Sequence, residues 1–205
     1  MSLDPALKTR IDDLLKSHHV VLFMKGTRTQ PMCGFSASAT GILNEMLPEY
    51  HTVNVLEDQE LREGIKLYAE WPTIPQLYID AELVGGTDII RQMYASGELH
   101  RLFGLPEPDR TPPVFTVTDL AAEAIHGGMS DAGDAVLHLE ISADLSASFQ
   151  IAPAGANDIV STINGVEVHL DPGSAQRAQG ITIDWVETVQ GSGLSLSFPG
   201  SQPTH

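Results

Sequence analysis

The 205-residue sequence predicts an α/β domain followed by a smaller, mainly antiparallel-β (α+β) domain. Up to about residue 105, helical and strand patterns alternate, which indicates a small mixed sheet flanked by helices. Four prolines then fall between residues 106 and 113, a composition typical of a stiff linker. From residue 111 onward, eleven acidic residues and one basic residue contribute −10 of the net charge of −16. We therefore predict domains over 1–105 and 114–200, joined by a linker over 106–113.

The elements of the first domain follow from its apolar spacing. Apolar residues recur every three to four positions in the helices, and Pro48 ends the second of them. Short apolar or alternating runs mark the strands. The predicted elements are a helix over 7–15, a strand over 20–24, a helix over 35–46, a strand over 52–55, a helix over 61–68, a hairpin over 76–79 and 82–84, and helices over 87–93 and 98–103.

The second domain is predicted to be mostly sheet. Thr118 can cap a helix over 119–125. The pair Asn164-Gly165 between two apolar runs predicts a type I′ hairpin. The predicted strands cover 137–141, 159–163, 166–170, 181–186 and 194–198.

Composition excludes several classes of protein. With 42% hydrophobic and 19% charged residues, the chain is predicted to fold, and no apolar run approaches the roughly 20 residues of a membrane helix. The start of the sequence lacks the pattern of a secretory signal, so we expect a cytoplasmic protein. The net charge of −16 argues against binding to nucleic acid or anionic membranes. A single cysteine, Cys33, excludes an intramolecular disulfide.

Cys33 is the candidate reactive group. It stands between a loop over 25–32 and the start of a predicted helix, where backbone N–H groups and the helix dipole stabilise a thiolate. An inert core cysteine is an equally good interpretation of this position alone.

Four motifs favour the reactive interpretation. They are MKG at 24–26, CGFS at 33–36, WPTIPQ at 71–76 and GGTD at 85–88. Together, in this order over about residues 1–105, they resemble the monothiol, CGFS-type glutaredoxins. The resemblance implies a thioredoxin-like fold, bound glutathione and binding of a 2Fe-2S cluster. Arg28 departs from the pattern, since many members of that family have proline there.

The resemblance also implies roles for individual residues. Lys25 and Arg62 would bind the glycine carboxylate of glutathione, and a cis Ile74-Pro75 bond would let the backbone of residue 74 pair with its cysteinyl part. Thr87 and Asp88 would receive the γ-glutamyl end. Taken singly, Lys25 and Arg62 are typical of ordinary surface charges, and Gly85-Gly86 is typical of a turn. Taken together, these residues favour a glutathione site. The full predicted glutathione set is Lys25, Phe35, Arg62, Thr73, Ile74, Pro75, Gly86, Thr87 and Asp88.

Two functions compete for Cys33. A 2Fe-2S cluster takes four ligands, usually thiolates, whereas one chain supplies one cysteine. Two Cys33 thiolates and two glutathione thiolates complete the set, which predicts a cluster-bridged homodimer that receives its cluster from a scaffold and delivers it to apo-proteins. Alternatively, Cys33 is the catalytic nucleophile of a glutathione-dependent disulfide oxidoreductase that removes glutathione from proteins. The family resemblance favours the carrier, with at most weak reductase activity.

The second domain resembles the A-type iron-sulfur carriers, the HesB-like group, over about 114–200. The resemblance lies in residues 115–119, the Asn164-Gly165 hairpin, 171–174 and 183–194. That family binds iron or a cluster through three cysteines, and this domain has none, so we expect a docking module for donors or acceptors. Its acidic surface could attract basic partners or simply maintain solubility. Three histidines are possible ligands, but their spacing matches no metal pattern: His126, His138 and His169.

Overall fold

The computed structural model describes residues 3–188 and 191–200, and the chain divides into two units with separate cores. Unit 1 spans Met1–Pro106 and unit 2 spans Glu107–His205. The division falls at the start of the proline-rich segment. In the described part of the chain, every helix is too short or too polar to cross a membrane.

Unit 1 is built on a four-stranded sheet with the order β2-β1-β3-β4. β1 pairs parallel with β2 and antiparallel with β3, and β3 pairs antiparallel with β4. The elements are α1 (Pro5–Ser17), β1 (Val20–Met24), α2 (Gly34–Met46), β2 (His51–Asn54), α3 (Gln59–Tyr68), β3 (Gln76–Ile79), β4 (Glu82–Gly85), α4 (Thr87–Ser96) and α5 (Glu98–Leu102).

Helices cover both faces of this sheet, which explains the continuous apolar run of β1. Leu22 and Met24 pack on one side with residues of α2, α4 and α5, while Val21 and Phe23 pack on the other side with residues of α1 and α3. A strand that is buried on both faces carries apolar residues at every position rather than at every second one. This is the thioredoxin-like fold that the sequence predicts, with element ends that differ by a few residues.

Unit 2 contains two small sheets with the orders β11-β10-β5 and β7-β6-β9-β8. Most pairings are antiparallel, but β5 pairs parallel with β10 and β6 pairs parallel with β9. The elements are β5 (Thr116–Val117), α6 (Asp119–Met129), β6 (Ala135–Ile141), β7 (Ala147–Pro153), β8 (Ile159–Ile163), β9 (Val166–Leu170), α7 (Pro172–Arg177), β10 (Thr182–Thr188) and β11 (Gly191–Ser197).

Local signals predicted the hairpin and the helix cap of unit 2 but not strand β7. Asn164 and Gly165 both have positive φ, 51° and 76°, as a type I′ turn requires. Thr118 accepts a hydrogen bond from the backbone N–H of Ala121 at the start of α6. Strand β7 was not predicted because most of its side chains are small or polar and exposed, so apolar alternation is limited to Phe149 and Ile151.

His51 makes the stability of unit 1 depend on pH. Its ring stacks on that of His18, with centroids 3.8 Å apart. The pKa of His51 is lowered, mainly by burial and to a smaller extent by the charge of His18. The unfolded chain therefore binds the proton more readily, so stability is present above the ordinary value near 6.5 and is lost as the pH falls below it. We expect the melting temperature to fall between pH 7.5 and 5.5, and less steeply in His51→Gln. An unchanged slope in that variant, measured by circular dichroism, would assign the effect to another group.

Candidate functional site

Cys33 stands at the N-terminus of α2, half-exposed, as its N-cap residue. Its backbone is extended, with φ −158° and ψ 139°, and its side chain caps no backbone N–H. Two large apolar neighbours are unusually exposed, Met32 at 71% and Phe35 at 63%. Cys33 is therefore partly buried and does not belong to the buried core, which argues against its interpretation as a core cysteine; its reactivity stays a prediction.

A cleft of about 470 Å³ opens beside this thiol, and we call it the Cys33 cleft. The structure brings together at this cleft all ten residues that the sequence singles out: Lys25, Cys33, Phe35, Arg62, Thr73, Ile74, Pro75, Gly86, Thr87 and Asp88. Four further residues line the cleft that were not predicted to belong to the site: Lys66, Trp71, Pro72 and Ile89. Trp71 and Pro72 belong to the WPTIPQ motif. The one signal for Lys66 is its position four residues after Arg62, which places both on the same face of a helix. The assignment of this set to glutathione stays a prediction.

The loop over 25–32 positions Lys25 at the cleft. The Lys25 N–H donates to Ser36 Oγ at 3.1 Å, and the Met32 N–H donates to the Lys25 carbonyl at 2.9 Å. Gly26 has φ +87°, and a Cβ there would lie 2.4 Å from the backbone oxygen of Gln30. The MKG motif therefore carries glycine because the chain reverses too tightly for any side chain.

Buried Gln76 shapes the segment over 71–75. Its Nε2 donates to the carbonyls of Trp71 at 2.8 Å and Thr73 at 3.1 Å, while its Oε1 accepts from the Tyr78 hydroxyl at 3.0 Å. The Ile74–Pro75 bond is cis, as the resemblance implies. The last residue of the WPTIPQ motif thus holds the backbone of the others in place.

The start of α4 joins the cleft to α2. Thr87 is buried, and its Oγ1 donates to the Phe35 carbonyl at 3.0 Å. Gly86 is the N-cap, and a Cβ there would meet the Pro75 carbonyl at 3.4 Å and Trp71 Nε1 at 3.5 Å. A Cβ at Gly86 would thus make only ordinary contacts, and Gly86 lies at the cleft beside a helix start, where the first N–H groups have no acceptor within the helix.

Helix α3 carries two cations into the cleft lining, Arg62 and Lys66. Its N-cap, Asp58, accepts from the Leu61 N–H at 2.9 Å and pairs with Arg10 at 2.7 Å. Both contacts lower the pKa of Asp58, the hydrogen bond from Leu61 more than the one from Arg10, and so keep the carboxylate charged at the helix start. The orientation of α3 is thereby fixed at the end from which Arg62 projects.

Two buried donors at the cleft lack partners. Arg62 Nε and Trp71 Nε1 are buried and have no hydrogen-bond partner within residues 3–188 and 191–200. A buried donor without an acceptor costs about 1–3 kcal/mol, so such groups usually have a ligand or water to bind. Three of the lining residues are cations and one is an acid, Asp88. The cleft is therefore suited to an anionic ligand that accepts hydrogen bonds.

Unit 2 contains a histidine cluster that sequence spacing did not reveal. His138 and His169 are paired on neighbouring strands, and their ring centroids are 5.5 Å apart. Buried His169 lies 2.8 Å from Asp158 Oδ2 through Nδ1 and 2.9 Å from Glu167 Oε1 through Nε2. His126 lies elsewhere, bound to the Gly165 carbonyl at 3.2 Å. Across the described residues, no three His, Cys, Asp or Glu side chains are grouped to hold a metal ion.

Comparisons with known proteins find similarity to glutaredoxins, and the family match falls within unit 1. The sequence profile of the glutaredoxin family matches residues 20–84. The chain is 47% identical to an uncharacterized monothiol glutaredoxin of Synechocystis, over 49% of this chain and 94% of the relative. It is 52% identical to a probable monothiol glutaredoxin of Rickettsia conorii, over 45% and 86%. The solution structure of reduced poplar apo GrxS14 is 52% identical and covers 49% of this chain and 93% of its own, with a TM-score of 0.44.

Proposed function

The chain belongs to the monothiol glutaredoxins, and on that premise we propose that it binds a 2Fe-2S cluster together with glutathione and passes the cluster to apo-proteins. Members of this family use glutathione. The observation that carries the proposal is the combination of one partly buried thiol, Cys33, with a cleft beside it that is lined by three cations and one acid.

Glutathione fits the chemistry of the Cys33 cleft. Its two carboxylates are acceptors for the unpartnered donors of Arg62 and Trp71 and for the Lys25 ammonium. Its α-amino group carries a positive charge that Asp88 can receive, while the N-terminus of α4 suits the neighbouring carboxylate. With its two ends bound in this way, the thiol of the tripeptide would lie near Cys33.

The ligand count leads to a dimer. The cluster is the cargo, and its four ligands are two Cys33 thiolates and two glutathione thiolates, one of each from each protomer. The exposed side chains of Met32 and Phe35 beside the thiol supply apolar surface that a second copy can cover. Because the cluster is both the cargo and the group that bridges the two protomers, the dimer dissociates when the cluster is delivered.

Anaerobic reconstitution tests this proposal. The purified chain is incubated with iron, sulfide and glutathione, and then separated by size-exclusion chromatography with visible absorption. We expect a coloured dimer, and a colourless monomer when glutathione is omitted. The proposal is overturned by a chain that stays colourless while rapidly reducing a glutathionylated peptide. In that reaction Cys33 attacks the glutathionyl sulfur and releases the peptide thiol, and a second glutathione then releases oxidised glutathione and the Cys33 thiolate.

For unit 2 we propose recognition rather than cluster binding, as a degenerate A-type, HesB-like domain. It lacks cysteine and holds thirteen acidic residues against two basic ones, Arg110 and Arg177. Such a charge steers basic surfaces toward it at low ionic strength. The partners we propose are therefore scaffolds or apo-proteins with a basic surface beside their cysteines.

A chain ending at Pro106 separates the two roles. Unit 1 has its own cores, so we expect the shortened chain to keep the cluster. Transfer to a basic acceptor should slow about tenfold, because steering raises association rates by about 10- to 1,000-fold. The control is the full chain at 0.5 M salt, which should be equally slow. Loss of the cluster on truncation would show that unit 2 takes part in cluster binding.

A further inference from the structure

Arg28 reaches from the loop over 25–32 to the C-terminal end of α2. Its Nε donates to Asn44 Oδ1 at 2.6 Å, its Nη1 to the Pro48 carbonyl at 2.9 Å, and its Nη2 to the Leu47 carbonyl at 3.2 Å. The carbonyl end of a helix carries partial negative charge, which favours a cation there. A planar guanidinium can satisfy these three acceptors at once, whereas an ammonium group cannot match the same geometry.

Tyr50 completes this attachment. The guanidinium carbon of Arg28 lies 4.5 Å from the centre of the Tyr50 ring, within the range of a cation–π contact. The Tyr50 hydroxyl donates to the same Asn44 Oδ1 at 3.0 Å. Burial raises the pKa of Tyr50 to about 12, although Arg28 opposes the shift, so the phenol keeps its proton and remains a donor. The three side chains therefore form one group, joined by two hydrogen bonds to Asn44 Oδ1 and one cation–π contact.

The same loop is attached to the start of α2 at its other end. The Lys25 N–H donates to Ser36 Oγ in the first turn of that helix, at 3.1 Å. Between these points the chain turns, with the Gln30 N–H donating to the Thr27 carbonyl at 3.2 Å. The Gly26 N–H also donates to Asn54 Oδ1 at 2.9 Å, so the loop is attached near both ends of α2 and to the end of β2.

We infer that Arg28 is a positioning residue for the proposed glutathione site. Its ties to Asn44, Leu47 and Pro48 fix the loop against α2 and so hold Lys25 at the Cys33 cleft. The inference rests on the proposed function, because it concerns the ligand that Lys25 binds. Without Arg28 the loop keeps its attachments near Lys25, to Ser36 and through the Gly26 N–H to Asn54 Oδ1 at 2.9 Å, but loses the one at the far end of α2. Binding must then include the cost of ordering the released part of the loop and the Lys25 side chain.

Glutathione binding to the full apo chain tests the inference by isothermal titration calorimetry well below the melting temperature. We expect Arg28→Ala to raise the Kd about fivefold, since binding must then order the released loop and the Lys25 side chain. Arg28→Lys should recover little of this, because it keeps the charge but loses the fork. Arg28→Pro should recover most of it, because proline in the second position of the Thr27–Gln30 turn restricts the loop by another means.

The matched control is Lys8→Ala. Lys8 on α1 also combines a hydrogen bond, to Asp12 at 2.8 Å, with a cation–π contact, to Tyr68 at 5.6 Å, and it does not line the cleft. We expect this variant to leave the Kd unchanged. The inference is overturned if Arg28→Ala lowers the melting temperature but keeps the wild-type Kd, or if Lys8→Ala weakens binding equally. A wild-type chain that binds glutathione but no cluster would overturn the carrier proposal and leave this result intact.

Discussion

Cys33→Ser is expected to abolish both the cluster and the cluster-bridged dimer. A serine hydroxyl stays protonated near neutral pH and does not replace a thiolate as an iron ligand. Because the sequence contains no other cysteine, the variant has no alternative ligand of the same kind. After reconstitution, visible absorption should fall to background, and light scattering should give the monomer mass with and without glutathione.

The fold of this variant should be preserved, which makes the result interpretable. Cys33 is half-exposed at the N-cap of α2, and serine is among the residues preferred at that position. The far-ultraviolet circular dichroism and the melting temperature should therefore match or slightly exceed those of the wild type. A coloured dimer that persists in Cys33→Ser would disprove the ligand set proposed above.

Arg62→Ala is expected to lower the affinity for glutathione by roughly 10- to 100-fold. A hydrogen bond to a charged group contributes about 1.5–3 kcal/mol, and Arg62 Nε has no competing partner among the described residues. The weaker affinity should appear as a proportionally higher glutathione concentration needed for half-maximal reconstitution. Calorimetric titration of the apo chain measures the same loss directly.

Lys16→Ala is the control for the change in charge. Lys16 is exposed in the last turn of α1, it does not line the cleft, and its removal changes the net charge by the same amount. We expect it to keep the wild-type affinity. Equal losses in the two variants would mean that overall charge, rather than a contact with Arg62, attracts the ligand.

Nine of the ten residues that the sequence singles out at the Cys33 cleft lie in short local motifs, and Arg62 is the exception. CGFS, WPTIPQ and GGTD each carry a feature that depends on neighbours in sequence, such as the N-cap position of Cys33 or of Gly86. The unpartnered nitrogens of Arg62 and Trp71 could not be foreseen, since burial of a side-chain atom is set by elements far apart in the chain. The same reason hid the contacts of Arg28, whose acceptors lie 16 to 20 residues away.

Unit 2 was predicted less completely because its parallel pairings join distant segments. The Asn164-Gly165 turn fixes the β8–β9 hairpin locally, and that hairpin matches the sequence prediction. By contrast, Thr116 of the two-residue strand β5 pairs with Thr182 of β10. The residues around such a short strand do not indicate which distant strand it will pair with. The His138–His169 pair arises in the same way, from the register of β6 against β9.

The unpartnered donors of the Cys33 cleft have a consequence for the lifetime of the protein. These two nitrogens have no acceptor among the described residues, so their burial costs stability in the empty state, and a ligand that supplied acceptors would remove that cost. With glutathione as the ligand, mass action stabilises the folded chain by about 2.7 kcal/mol at a concentration 100 times the Kd. The abundance of the protein would then follow the glutathione concentration around it, because a depleted pool leaves more chains unfolded and open to proteolysis.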